Sequence, residues 1–529
     1  MDGGERAQGL QAALTLLENG ESEQAEVVGR RLLAADRSDI EALLLLALAI
    51  GLRGDAFTAA SMLNEVACAR PMHAHPCRDL AQLLAAAGKP GCIARQYRAC
   101  LGLAPHDTRL LYAFAEFLRE AGDAAAAIAL LVPVLQAHRT SAEAQYQMGL
   151  ALAEAGQFDA AAESFRQAVA YDPRPAVFWA NLGMMLKVEN RFDEALDAYA
   201  EALVRSPQDS QIRVNRAVAR LHAGRFAEAW QDEAWVLAQP GRAALPPETM
   251  LPRLSLLPDL AGRTVLVVQE EGHGDTLQFL RYLPLLAARG ARVIAAVPPA
   301  LARVMRTVPG VAEAPDGDAP VPRYDFHCSF NGLPRAFETT LETIPRDVPY
   351  LAADPTLAVE WALRLPPRQG LRVGLVWAGQ ARPWLPGFTG LDRRRSTSLA
   401  TLAPLAAVGG AQFVSLQKGP MADDPPPFDM IDVMHGVVDF ADTAAIVANL
   451  DLVVSVDTSV AHLAGAMGKP VFLLDRYDNC WRWLSGREDS PWYPSLRIFR
   501  QPRSGEWEPV IARVAVALAE MVGSLRAAL

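Results

Sequence analysis

Apolar and small residues in the first half of the chain recur with a fixed spacing of 34 positions. One small position reads Ala13, Ala47, Ala81, Ala115, Gly149, Gly183 and Ala217. Seven residues further on, glycine stands at Gly20, Gly54, Gly88, Gly122, Gly156 and Gly224, with Asn190 in the sixth copy. A second small position falls at Ala25, Ala59, Ala127, Ala161, Ala195 and Ala229, with Ile93 as the exception, and Pro71, Pro105, Pro173 and Pro207 close four copies. No gap is needed across the seven copies. The pattern predicts two amphipathic helices per copy, crossing where the side chains are small. The turn between them takes a left-handed residue, and proline stops the second helix.

In the second half the period changes. Residues 239–262, QPGRAALPPETMLPRLSLLPDLAG, hold five prolines and read as a linker. Beyond it, short β-branched runs alternate with helical segments, which predicts parallel sheets built of βα units. Strands are expected at 264–272, from Ala291, from Tyr324, at 371–379, in QFVSLQKG and on both sides of the helix in SVDTSVAHLAGAMGKPV. Helices are expected near Ala300 to Thr307, from Ala400 and from Trp507 to Ala528. The fresh start at Leu371 divides the region into two Rossmann-like lobes. The fold class is therefore multidomain: an all-α repeat array (residues 6–240), a linker (241–262), a first α/β lobe (263–353) and a second (370–505). The resemblance of this two-lobe plan to the GT-B glycosyltransferases implies that the last helix crosses back and braces the first lobe.

Composition narrows the functions. The chain has 529 residues, too many for one core. With 51% apolar and 21% charged residues it is an ordinary globular sequence. A net charge of -10 leaves no basic footprint for nucleic acid. Cys68, Cys77, Cys92, Cys100, Cys328 and Cys480 form neither a CxxC pair nor zinc spacing, so free thiols in a reducing cytoplasm and no bound metal are expected. The N-terminus lacks a secretory pattern, and the apolar run from Ala42 to Leu52 is too short for a membrane span.

The 34-residue unit resembles the tetratricopeptide repeat, most closely in GLALAEAGQFDAAAESFRQAVAYDP and NLGMMLKVENRFDEALDAYAEALVRSP. Such arrays form superhelices whose concave face binds extended peptides. Gln147, Asn181 and Asn215 share one register on successive first helices. The resemblance to repeat arrays of protein glycosyltransferases implies an amide ladder that grips a peptide backbone; hydrogen bonding between helices is the alternative use of the same side chains. Leu45, Asp79 and Ala113 hold that register in earlier copies, so a ladder is short.

SVDTSVAHLAGAMGKPV resembles the heptosyltransferase family, whose second lobe carries D-T-x-x-A-H-x-A at a nucleotide-sugar site. Tandem Rossmann-like lobes are the plan of the GT-B glycosyltransferases. The resemblance implies donor binding at Asp457, Thr458, Ser459 and His462, where a strand passes into a helix whose first N–H groups favour a diphosphate. Gly379, at the end of LRVGLVWAG, faces the same crevice in this reading. In the loop DRRRSTSL, Arg394 and Arg395 with their neighbour Arg393 are candidates to neutralise the leaving phosphate, and Lys418 in SLQKGP is another. In EEGHGDTLQF the family's G-D turn falls on Gly274 and Asp275, which makes Asp275 the implied general base and Gly274 an acceptor-binding position where the loop approaches substrate closely; His273 is a rival base with a suitable intrinsic pKa. Asp275 equally suits a helix cap. The absence of GxGxxG disfavours a dinucleotide enzyme, and the two-lobe plan that the resemblance implies points to metal-free transfer rather than a metal-dependent GT-A transferase.

The expectation that follows is a metal-independent glycosyltransferase. It uses a nucleotide-sugar as co-substrate and no cofactor, and the acceptor is a Ser or Thr hydroxyl of a protein recruited by the repeats, with flagellin suggested by analogy. A non-catalytic peptide-binding scaffold and a glycolipid heptosyltransferase are the alternatives. Self-association through the array is left open.

Overall fold

A computed structural model describes residues 3–55, 57–59, 61–62, 94, 97–98, 101–102, 106–232, 245–257, 259–270, 272–315, 322–380 and 388–528. Ala81, Gly88, Ile93, Asp79, Pro71, Pro105, the cysteines Cys68, Cys77, Cys92 and Cys100, and linker residues 239–244 lie outside them. The chain divides into two compact units, Met1–Met185 and Leu186–Leu529.

The first unit is all-helical. Its described helices are α1 (Gly3–Glu18), α2 (Ser22–Ala35), α3 (Ile40–Leu52), α4 (Thr108–Glu120), α5 (Ala124–Ala137), α6 (Ala142–Glu154) and α7 (Phe158–Tyr171), followed by α8 (Ala176–Val188), within which the division falls. The small positions do what the spacing predicts. Ala13, Ala25, Ala47, Ala115, Ala127 and Ala161 are buried, and a Cβ on Gly149 would stand 2.7 Å from the Phe165 ring. The turn residue is left-handed, with φ 75° at Gly156 and 62° at Asn190. Helix starts are capped by side chains that the period alone does not reveal: Asp39, Asp107, Asp123 and Ser141 each accept a first-turn N–H.

The second unit opens with the end of α8 and with α9 (Phe192–Arg205), α10 (Ser210–His222) and the short α11 (Phe226–Ala229). These repeat helices share a core with the α/β region. Ala217, Leu221, Phe226 and Ala229 belong to the same buried cluster as both lobes. The Phe226 ring meets Trp481 edge-on at 5.7 Å, and the Trp230 indole donates to Thr339 O at 2.7 Å. The compact division thus lies before the last repeat and a half, not at the proline-rich stretch near residue 240. Aromatic burial, which a helical period does not report, decides it.

The first lobe is a four-stranded parallel sheet, order β3-β2-β1-β4, from β1 (Thr264–Val268), β2 (Arg292–Ala296), β3 (Val311–Glu313) and β4 (Phe326–Ser329). Helices α12 (His273–Phe279), α13 (Leu283–Ala288) and α14 (Pro299–Met305) belong to it, and α15 (Pro355–Arg364) leads to the second lobe. The second lobe is a six-stranded parallel sheet, order β10-β9-β8-β5-β6-β7, from β5 (Leu371–Val376), β6 (Ala411–Ser415), β7 (Met430–Asp432), β8 (Leu452–Val456), β9 (Val471–Asp475) and β10 (Leu496–Arg500). Its helices are α16 (Phe388–Arg395), α17 (Phe440–Ala448), α18 (Ser459–Ala466) and α19 (Glu508–Ala528). Every residue of β5 and β8 is buried, as expected of central parallel strands covered on both faces. Two parallel α/β sheets behind an all-helical repeat region are consistent with a Rossmann-like GT-B module.

Three details differ from the sequence expectation. The segment from Leu399 to Ala407 is a 3₁₀ helix with Pro404 inside it, where regular helix was expected. Arg393, Arg394 and Arg395 form the last turn of α16 and not a loop. Helix α19 does not serve the first lobe as expected: Val510, Ile511, Val514, Leu518 and Val522 pack with Leu371, Val373, Leu402, Leu452 and Val454 of the second lobe. Its apolar stripe matches the outer face of that sheet, and burial there outweighs any crossing back.

Candidate functional site at the facing sheet edges

In an open parallel sheet the ligand crevice lies beyond the carboxyl ends of the strands, where the strand order reverses. In the second lobe the order runs outward from β5 on one side and β8 on the other, so the reversal falls between them. Gly379 follows β5, and Asp457, Thr458 and Ser459 follow β8. Buried Gln417 ties the edge together. Its Oε1 accepts the Trp377 and Ala378 N–H groups at 3.1 and 2.9 Å, and its Nε2 donates to Ala378 O and Lys418 O.

Helix α18 starts directly after this edge. Thr458 is its N-cap residue, yet its hydroxyl contacts Ser455 Oγ at 2.9 Å and does not fold back onto the helix N–H groups. The N–H groups of Ser459 and Val460, ahead of the Ala461 N–H that donates to Thr458 O at 3.1 Å, are thereby left for another partner. Thr458 and Ser459 are half-buried.

The first lobe brings α12 against this helix start. A Cβ on Gly274 would lie 2.9 Å from His462 Cδ2 and 3.4 Å from Ser459 Cα, so glycine is what permits the contact. Asp275 Oδ2 accepts the Gly272 N–H at 3.0 Å, which is the capping role, while its other oxygen pairs with Arg482 of the second lobe. His273 turns elsewhere, towards Gln269 at 3.2 Å and edge-on to Phe440, and burial lowers its pKa. His462 is buried, shares a hydrogen bond of 3.0 Å with the Tyr493 hydroxyl, stacks on Trp483 at 5.1 Å and lies 3.9 Å from Asp457. Burial, only partly opposed by Asp457, depresses its pKa to about 4, so it is neutral at physiological pH.

The cationic candidates separate. Arg394 reaches Asp478 with Nε and Nη2 at 3.1 and 2.9 Å. Arg395 is bound locally, to Asp392 at 3.0 Å and Gln380 O at 2.9 Å, and lies where a Cβ on Gly379 would sit. Gly379 therefore makes room for this arginine. Arg393 is exposed. Lys418 is exposed and donates to Val437 O at 2.6 Å. Trp483, Trp492 and Tyr493 are core residues, fully buried. Arg476, Arg482 and Asp478 were not singled out from the sequence; they follow β9 in an aromatic-rich stretch with no charge pattern of its own.

In the repeats each of the three amides bonds within its own helix, and Asn181 also bonds across to the helix of the preceding repeat. Gln147 donates to Glu143 at 2.9 Å, and Asn181 donates to Val177 O at 3.0 Å and to the Tyr146 hydroxyl at 3.3 Å. Asn215 accepts from Gln211 at 3.0 Å. A pocket of about 450 Å³, lined among others by Arg303, Thr307, Asp354, Glu360 and Ala444, is separate and contains none of the candidates. Among the described residues no helix is long and apolar enough to cross a membrane.

Comparison with known families bears on this edge directly. A model of the glycosyltransferase 9 family (heptosyltransferase) matches residues 431–504, which hold β8, the start of α18, β9 and Arg482. Tetratricopeptide repeat models match residues 146–210 and 188–236. Segments of this chain match tetratricopeptide repeats and the heptosyltransferase family. The heptosyltransferase-family match thus covers the half of the crevice that supplies Asp457, Thr458, Ser459 and His462. Protein FlbA of Caulobacter vibrioides is 29% identical over 344 residues, 58% of this chain and 55% of that protein, so the chain spans about half the length of this curated relative. Solved structures with a likeness to part of the chain include MamA, 22% identical, with 30% of this chain and 92% of that chain covered and a TM-score of 0.27. A tetratricopeptide repeat protein from Parabacteroides merdae is 14% identical over 44% of this chain and 91% of that chain, with a TM-score of 0.29. Together the repeats and the heptosyltransferase-family domain describe a tetratricopeptide-containing, glycosyltransferase-like protein.

Proposed function

We propose that the protein transfers a sugar from a nucleotide-sugar to a Ser or Thr hydroxyl of a protein acceptor, flagellin among the candidates, in the cytoplasm. The observation that carries this reading is the close approach of Gly274, the neighbour of Asp275 at the start of α12, to Ser459 and His462 at the start of α18, at the reversal point of the second sheet. The diphosphate is held by the Thr458, Ser459 and helix N–H groups, with Arg394 adjoining. The acceptor oxygen attacks the anomeric carbon, the bond from that carbon to the phosphate oxygen breaks, the acceptor proton passes to Asp275, and the nucleotide leaves with the bonding pair. Arg482 orients the Asp275 carboxylate. Arginine and helix N–H groups stabilise the leaving charge in this reading, with no metal or cofactor called upon. The repeats bring the acceptor, with Gln147, Asn181 and Asn215 exchanging their local bonds for peptide amides.

The test is transfer by the purified full chain across a panel of nucleotide-sugars. Asp275→Asn keeps the size and much of the capping geometry and is expected to lower kcat by about 10²–10⁴ with little change in donor affinity. An Asp275→Asn protein with undiminished turnover excludes Asp275 as the base. Donor binding without turnover in the wild type leaves a scaffold.

A further inference from the structure

Near the start of α18 the second unit encloses more positive than negative charge. Arg394 is bonded to one oxygen of Asp478, and Arg476 lies 3.6 Å from the other. Arg476 is only 7% exposed, and its Nε and Nη1 make no hydrogen bond. Lys187, in the last turn of repeat helix α8, feels the same charges: Asp478, Arg476, Cys480 and Arg394 act on it, and burial lowers its pKa. Asp457 and Asp475 are the other carboxylates acting on Arg476, and Asp475 is taken up by Arg500. With the Asp475–Arg500 pair set aside, three cations meet two carboxylates, and Asp478 is already taken up by Arg394. The adjoining pairs Asp475–Arg500 and Asp275–Arg482 are matched one to one and leave that excess in place.

A guanidinium buried with open N–H groups is costly, and an anion that enters removes the cost. The unused edge of an arginine matches two phosphate oxygens, and a lysine beside it adds a point charge. We propose that Lys187, contributed by the sixth repeat, completes with Arg476 and Arg394 a subsite for a phosphate group of the nucleotide. The subsite rests on the donor reading above and deepens it: the repeat region supplies part of the donor site as well as the acceptor site.

The experiment uses the full chain and titrates pyrophosphate, ADP, UDP, GDP and CMP by calorimetry into wild type, Lys187→Met and Lys187→Arg. The wild type is expected to bind pyrophosphate and at least one nucleotide. Lys187→Met should bind about tenfold more weakly, with a shallower salt dependence, and Lys187→Arg should recover most of the affinity. Melting curves without anion guard against a folding defect: Lys187→Met should melt no lower than wild type, because an enclosed cation has been removed, while pyrophosphate should raise its Tm less. Equal affinity of wild type and Lys187→Met overturns the subsite and leaves the donor reading standing. A wild type that binds none of the ligands overturns both.

Discussion

Two buried arginines in the second unit are put to opposite use. Arg281 donates through Nε to Gln278 O at 2.8 Å, through Nη1 to Pro345 O and to Trp492 O at 2.8 and 2.7 Å, and through Nη2 to the Tyr350 hydroxyl at 3.1 Å. Its plane lies over the Tyr350 and Tyr493 rings at 4.6 and 4.7 Å. Arg476 is as deeply placed but holds open donors beside a carboxylate that Arg394 already occupies. Burial is common to both, so burial does not distinguish a structural arginine from a binding one. Saturation of the donors does: the Arg281 bonds stitch the first lobe to the carbonyl of Trp492, whereas Arg476 is left wanting an anion.

The largest effect that tests this contrast is at Arg281. Arg281→Met should lower the free energy of unfolding by about 3–5 kcal/mol, since it abandons several buried carbonyls at once. Urea titration followed by tryptophan fluorescence measures it, and a loss under about 1 kcal/mol would erase the distinction.

Next in size is a pH effect. His462 has its folded pKa depressed to about 4, so its contribution is fully present above the unfolded value near 6.5 and is lost as pH falls towards 4, about 3 kcal/mol in all. Asp475 has its carboxyl raised to about 6 by burial, so its contribution is present at low pH and is lost as pH rises through 6. The two oppose each other between pH 4 and 6.5. His462→Gln should therefore gain stability towards acid relative to wild type, and Asp475→Asn should lose it more steeply. Parallel profiles for all three proteins would refute both assignments.

A smaller effect is expected at Gly274. Gly274→Ala forces a methyl group within 2.9 Å of His462 Cδ2. It should cost about 1–2 kcal/mol of stability and lower transfer activity by loosening the contact of α12 with α18. The smallest shift belongs to Arg476. Arg476→Met should fall within about 1 kcal/mol of wild type without ligand, because an apolar side chain satisfies the same cavity, while losing the stabilisation by pyrophosphate.

The helices of the repeats and the parallel strands were legible because each rests on a local period. The 34-residue spacing places Gly156 and Asn190 in left-handed turns and Ala161 and Ala195 at helix crossings. The runs around Leu371 and Leu452 read as buried strands because both faces are covered. The three-residue edge strands β3 and β7 are too short to show a period. At the site, Asp275 and Asp457 to Ser459 stood out by motif, but Arg482, the partner of Asp275, lies more than 200 positions away among tryptophans.

By itself, then, the sequence determined which segments fold as repeats and which as βα units, and which residues end up at strand ends, because hydrophobic period and turn chemistry act over a few residues. Tertiary structure alone decided which cations find partners. It joined Asp275 to Arg482, gave Arg394 rather than Arg395 or Lys418 to Asp478, drew Lys187 from a repeat helix into that group, and sent α19 to the second lobe. Charge pairing and desolvation depend on distances across the fold, and no local pattern encodes them.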